Sequence, residues 1–138
     1  MLRSTTLALT LILALTGADA ALACSCAPSP PPQEALQQAG AVFTGTVVAV
    51  DTSGLSSTVR LRVEKGWKGA KCGEVTVVTS ADSAACGYDF QVGQSYLVYA
   101  DKQKGKLNVS LCSRTSLTSQ AGEDLAALGE PATTCPAQ

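Results

Sequence analysis

The sequence predicts a small β-barrel of five strands, flanked by a short helix before it and a second helix after it, and held by disulfides. Three observations predict this. Five runs rich in Val, Leu and Thr follow one another between residues 41 and 111, separated by Gly- and Ser-containing turns. Helical patterns occur only on the two flanks. Six cysteines, an even number, stand in 138 residues, all beyond a leader-like N-terminus. That is how a small secreted domain stapled by three disulfides reads.

The leader comes first. Arg3 gives a basic start, Thr5 to Thr16 is an apolar run, and Ala18-Asp19-Ala20 and Ala21-Leu22-Ala23 are small-x-small cleavage patterns. In that order they read as a secretory signal peptide and not as a buried helix. Residues 1–23 are assigned to it and residues 24–138 to one domain, so the product is secreted, or periplasmic or surface-bound in a bacterium. Cleavage after Ala20 stays open, and so does acylation of Cys24, although Ala21 stands where a lipoprotein signal usually has Leu. The apolar run is too short to span a bilayer, and no later stretch is long enough.

Pro28 to Pro32 holds four prolines and one Ser, which excludes regular helix or a central strand. It forms a stiff extended arm that carries Cys24 to Cys26 away from the rest of the chain. Pro32 opens a helix over residues 33–39, with Gly40 as its cap. Ala41 to Asp51 is the first strand, with a bulge or bend at Gly45. Thr58 to Glu64 alternates: Val59, Leu61 and Val63 face the core, and Arg60, Arg62 and Glu64 face solvent. Lys65 to Gly73 is a Gly- and Lys-rich loop holding Trp67, which reads as a barrel lid or core residue. Glu74 to Thr79, Gln94 to Ala100 and Lys106 to Leu111 complete the strands, with a hairpin turn over residues 102–105. Thr118 to Leu128 is the closing helix, with Gly129 after it. The tail is pinned by Cys135. Five strands of this kind make the five-stranded OB-type barrel the natural architecture.

Composition excludes several functions. The net charge is −1 and the chain has no His. A near-neutral chain without a long basic cluster implies no nucleic-acid surface. Lack of His removes the commonest general base and metal ligand. No nucleophile–base or carboxylate pair stands out, so no enzyme is expected. Six Cys allow 15 pairings, which spacing does not resolve. A Cys-x-Cys metal or redox site is the minor alternative. Arg114 reads as a solvated or helix-capping charge, and Asn108-Val109-Ser110 fits a glycosylation sequon that matters only in a eukaryote.

Cys24-Ser25-Cys26-Ala27-Pro28 resembles the start of the mature tissue inhibitors of metalloproteinases, which open with Cys-x-Cys-x-Pro at the cleavage site. The resemblance continues through residues 39–45, Ala85-Cys86-Gly87-Tyr88, residues 93–100 and Val109-Ser110-Leu111-Cys112-Ser113. It implies the netrin-like OB barrel, and pairs Cys24 with Cys86 and Cys26 with Cys112. The family's first helix carries a Cys that this helix lacks, so Cys72 and Cys135 are the pair left over. The family's second domain would begin where this chain stops.

The resemblance also implies an inhibitory site in Cys24, Ser25, Cys26, Ala27 and Pro28. The amine and carbonyl of Cys24 would chelate the catalytic zinc of a metalloendopeptidase, and Ser25 would enter its specificity pocket. The zinc belongs to the partner, so no cofactor of the chain's own is expected, and no nucleic acid or membrane partner unless Cys24 is lipidated. A monomer is expected. The alternative is a non-inhibitory extracellular netrin-like module that binds another protein through the loops near Trp67 and Gly69.

Overall fold

The computed structural model describes residues 23–137. The leader through Leu22 and its Ala20 cleavage pattern lie outside the described residues. Helix α1 spans Pro32–Gln38 and strand β1 Ala41–Ser53. Strand β2 spans Ser56–Lys68, β3 Glu74–Ser80, β4 Ser95–Gln103 and β5 Lys106–Asn108. A two-residue strand β6, Ser116–Leu117, precedes helix α2, Gly122–Leu128, and strand β7, Thr133–Thr134, lies in the tail.

The five main strands close on themselves. β1 pairs with β2 and β2 with β3, both antiparallel. β3 pairs with β5 in parallel, Val77 beside Leu107. β5 pairs with β4 and β4 with β1, again antiparallel. That ring is the OB-type barrel. β6 adds to β4, and β7 to β2.

Burial explains the different looks of the strands. β2 faces core on one side only, so it alternates: Val59, Leu61 and Val63 are buried, and Arg60 and Arg62 are exposed. β1 and β4 are covered on both faces and therefore read as continuous apolar runs. Inside the barrel Phe43, Val47, Val59, Leu61, Val77, Phe90, Tyr96 and Val98 form one core. On the outer face of β1 and β4, Val42, Leu97 and Tyr99 pack under α1 (Ala35, Ala39) and α2 (Leu128). Each fully buried Val or Leu stabilises by about 1.5–3 kcal/mol.

Two glycines are required by geometry. Register shifts at Thr44/Gly45, and a Cβ on Gly45 would lie 2.8 Å from the Arg62 carbonyl oxygen, so the expected bulge is there. Gly40 does not cap α1. The cap position falls to Ala39 in extended backbone, and Gly40 is needed because a Cβ there would meet Lys102 Cβ at 2.6 Å.

Several boundaries differ from expectation. Lys65, Gly66 and Trp67 are strand, not loop. β1 supplies ladder partners on one side (Val42 opposite Lys68), and β7 supplies them on the other (Thr133 opposite Gly66). β5 ends at Asn108, and the chain then bends so that Leu111 N–H donates to the Cys86 carbonyl at 2.9 Å. The closing helix starts at Gly122, after a 3-10 turn over Thr118–Gln120. The β4–β5 turn has Lys104 at φ 50 and Gly105 at φ 78, the pair of positive angles a two-residue hairpin needs.

Candidate functional site

Residues 24–31 form an extended segment with no regular structure. Ser25, Cys26, Ala27, Pro28 and Ser29 are exposed and Cys24 is half-buried. Prolines 28, 30, 31 and 32 have no N–H to satisfy, so this stretch can stand clear of a sheet at little cost. It ends where Ala35 N–H donates to the Pro31 carbonyl at 2.9 Å, the first bond of α1.

Disulfides join Cys24 to Cys86, Cys26 to Cys112 and Cys72 to Cys135. The first two clamp the arm on both sides of Ser25. Their anchors are themselves fixed. Cys86 ends a 3-10 turn (Ser83–Ala85) in the left-handed region, φ 62. The Asp82 carboxylate accepts from Ala84 N–H (2.8 Å), and the Asp82 carbonyl accepts from Gly87 N–H (2.9 Å). Gly87 packs against the Ser80 carbonyl, where a Cβ could not fit. Ser110 Oγ accepts from Cys112 N–H at 3.0 Å. The two anchor loops meet through the bond from Leu111 N–H to the Cys86 carbonyl.

The two bridges lie side by side, with Cys24 Sγ 3.5 Å from Cys112 Sγ. Cys24, Cys26 and Cys112 bring three sulfurs within 4.8 Å of one another. Among the described residues no cysteine is free, so these sulfurs offer no thiolate to a metal or a redox partner. In this bonded form the sulfurs serve as fastenings of the arm.

A third fastening was not visible in the sequence. Arg114 Nε and Nη2 donate to Asp124 Oδ2 (2.7 Å) and Oδ1 (2.6 Å), a two-pronged pair. Arg114 Nη1 donates to the Pro30 carbonyl at 3.0 Å, and Tyr99 OH donates to Asp124 Oδ2 at 2.9 Å. The side chains of Arg114 and Asp124 are 20% and 11% exposed, so Arg114 is not a solvated charge. It ties the arm to α2 and β4. Burial alone would raise the Asp124 pKa, but the hydrogen bonds from Arg114 and Tyr99 outweigh it and hold the carboxyl below its usual range. Burial and the bond to Asp124 push the Tyr99 hydroxyl well above its usual pKa.

Trp67 is half-buried. It packs against the cluster that includes Val42, Leu97 and Leu128, and its Nε1 donates to the Gly129 carbonyl at 3.0 Å. Gly69 is pressed against the Gly40 carbonyl. Both residues hold the barrel to its helices. At the end of the barrel that carries the arm's anchors, by contrast, apolar side chains are exposed: Leu55 (93%) at the β1–β2 turn and Leu111 (45%) beside Cys112. Leu55 is held at this end by the bond from Ala81 N–H to its carbonyl, 3.0 Å.

The arm, its clamped Cys-x-Cys-x-Pro and the closed barrel all fall inside one sequence match: the model for the tissue inhibitors of metalloproteinases covers residues 22–122. The chain belongs to this family. Members are secreted inhibitors of metalloproteinases and not enzymes, and the disulfides fit an extracellular location. The matched region contains both arm bridges but ends before most of α2 and before Cys135. No curated protein matches the chain. No helix among the described residues is long and apolar enough to cross a membrane.

Proposed function

We propose that the mature domain begins at Cys24 and inhibits a zinc metalloendopeptidase by placing the Cys24 α-amine and carbonyl on the catalytic zinc. A catalytic zinc keeps one position open for water, and an amine with its own carbonyl can fill it as a chelate. The zinc is the partner's, and the inhibitor needs no cofactor of its own. Ser25 then enters the pocket beside the metal, and Cys26, Ala27 and Pro28 line the cleft behind it.

The observation that carries this reading is the double clamp. Cys24 and Cys26 are each bonded to the barrel while Ser25 between them is exposed. The arm is thus ordered before it binds, and little conformational entropy remains to be lost. Exposed Leu55 and Leu111 at the same end supply apolar surface, the kind found at the centre of a protein interface.

The test compares three forms of the purified domain against a panel of zinc endopeptidases: free Cys24, an added N-terminal Ala, and Nα-acetyl Cys24. The free form inhibits at stoichiometric concentration. The other two lose more than about a hundredfold, since even an outer-shell partner of a metal ligand is worth roughly 10–100-fold. Equal inhibition by all three forms rules out the chelate. Protein binding by all three without inhibition establishes the non-inhibitory module. N-terminal sequencing and intact mass of the secreted protein decide the cleavage site and any acyl group on Cys24.

A further inference from the structure

The two bridges of the arm are close enough to react with each other. Cys24 Sγ lies 3.5 Å from Cys112 Sγ and 3.9 Å from Cys26 Sγ, so both sulfurs of the Cys26–Cys112 bridge stand against one sulfur of Cys24–Cys86. Cys24, Cys26 and Cys112 form the one such cluster among the described residues, and the Cys72–Cys135 bridge is outside it.

Access differs along the pair. Cys26 is exposed, whereas Cys24, Cys86 and Cys112 are half-buried. A dissolved thiolate therefore meets Cys26 Sγ first, and attack there frees Cys112 as the leaving thiolate. Cys112 is held even without its bridge: its N–H donates to Ser110 Oγ (3.0 Å), and Ser113 N–H closes the turn on the Ser110 carbonyl (3.0 Å). The freed thiolate is thus left beside Cys24 Sγ. An attacker already in place outpaces one that must diffuse in. The sulfur it displaces belongs to Cys86, whose backbone sits at φ 62, a left-handed conformation uncommon for residues other than Gly. Releasing Cys86 lets that turn relax.

We infer that the two arm bridges are one thiol-reactive unit: a dithiol reductant that opens Cys26–Cys112 moves the surviving bridge from Cys24–Cys86 to Cys24–Cys112. The balance closes in three steps. One thiolate of the dithiol bonds to Cys26 Sγ, the Cys26–Cys112 bond breaks, and its electron pair leaves on Cys112. The Cys112 thiolate bonds to Cys24 Sγ, the Cys24–Cys86 bond breaks, and Cys86 leaves as a thiolate that takes a proton from water. The second thiolate of the dithiol closes on its own mixed disulfide and releases Cys26, which is protonated in turn. The dithiol is oxidised by two electrons to a cyclic disulfide. The domain gains two thiols, on Cys26 and Cys86, and their protons replace in solution the two that the dithiol lost. Simple opening of one bridge would leave Cys24 on its original anchor. Transfer takes it off the β3–β4 loop, so neither original clamp on Ser25 survives a single two-electron event. Resting on the inhibitor reading above, this makes inhibition responsive to the thiols around the domain.

The test adds dithiothreitol in steps to the secreted domain until one arm bridge has opened. Acid quenching, alkylation of free thiols and peptide mass mapping then read the pairing. The expected one-bridge species carries Cys24–Cys112, with label on Cys26 and Cys86. Label on Cys26 and Cys112 with Cys24–Cys86 intact overturns the inference. So does any other arm pairing, or loss of both bridges with no one-bridge species. The variant Cys26→Ser needs no reductant, because Cys112 is a free thiol from the start. Label should divide between Cys86 and Cys112, and label confined to Cys112 in a cooperatively melting variant overturns the transfer. Inhibition separates this inference from the reading it rests on. The rearranged species should inhibit roughly tenfold or more weakly, since residues the bridges no longer hold must be ordered on binding. Unchanged inhibition overturns the regulatory role. A domain that transfers its bridge yet fails to inhibit even when unreduced refutes the inhibitor reading and leaves the exchange standing.

Discussion

Two segments at the ends of the described chain are fastened by bridges of almost equal span, and they lie on the barrel in different ways. Cys24–Cys86 spans 62 residues and Cys72–Cys135 spans 63. The tail lies flat. Thr133 and Thr134 pair with Gly66 and Lys65, and Cys135 N–H donates to the Glu64 carbonyl at 2.8 Å. It covers the edge of β2 that β3 does not reach, an edge that would otherwise be open to pairing. No backbone–backbone hydrogen bond joins residues 24–30 to the barrel among the described residues. The arm is held at two sulfurs and, through Arg114, at one carbonyl. A segment that serves stability commits its backbone to its neighbours. The arm, for which binding is proposed above, is gripped from the side and keeps its first backbone groups available.

The strongest way to break this comparison is to open each bridge in turn. Cys24→Ser with Cys86→Ser, and Cys72→Ser with Cys135→Ser, should each cost up to about 4 kcal/mol in urea unfolding, because the loops are alike and the remaining bridges shorten both. Inhibition should then separate them: a loss above about a hundredfold for the arm pair, and less than about threefold for the tail pair. Similar losses of inhibition would show that the arm has no special role.

Arg114→Ala comes next. It should cost about 2 kcal/mol, since it leaves Asp124 without its charge partner in a mostly buried site. Arg114→Lys should recover only part, because an ammonium cannot reproduce the fork. At temperatures where the variant is folded, inhibition should still fall several-fold. Unchanged inhibition would mean that the sulfurs alone position the arm.

The same network sets a pH dependence. The folded Asp124 pKa is lowered, so its contribution to stability is present above the ordinary carboxyl range and is lost as pH falls through about 4 and below. The folded Tyr99 pKa is raised, so its contribution is complete below about pH 10 and is lost as pH climbs beyond that. Unfolding curves across pH should show both limbs, and Arg114→Ala should flatten the acid one. Inhibition has a separate profile: an α-amine of pKa about 8 must be neutral to ligate, so affinity should fall up to tenfold per unit below that pH. A profile flat between pH 6 and 8 would count against the amine as ligand.

The smallest expected effect is Thr133→Pro, which removes one ladder bond from a two-residue strand. It should cost about 1 kcal/mol and leave inhibition alone.

Local pattern carried much of the fold. The alternation of Val59, Leu61 and Val63 set the faces of β2, the Lys104-Gly105 turn placed the last hairpin, and Gly45 marked the bulge. What failed was non-local. Lys65-Gly66-Trp67 has loop composition, yet it is strand because β1 and β7 bracket it. Gly40 looks like a helix cap, but its reason is Lys102, which the barrel brings beside it. At the candidate site, Cys24 to Pro28 stood out as a local motif. Arg114 did not, because Pro30 is 84 positions away and Asp124 becomes its partner only once α2 has docked on β4.

The clamp also has a consequence in time. Translation delivers Cys24 and Ser25 before any other part of the described domain, but Cys86, Cys112 and Arg114 emerge long afterwards. A chain that stops short of Cys86 carries every residue of the arm and none of its shape. The first piece of the domain to be made is the last to be finished, so the arm is set only in a completed and oxidised domain.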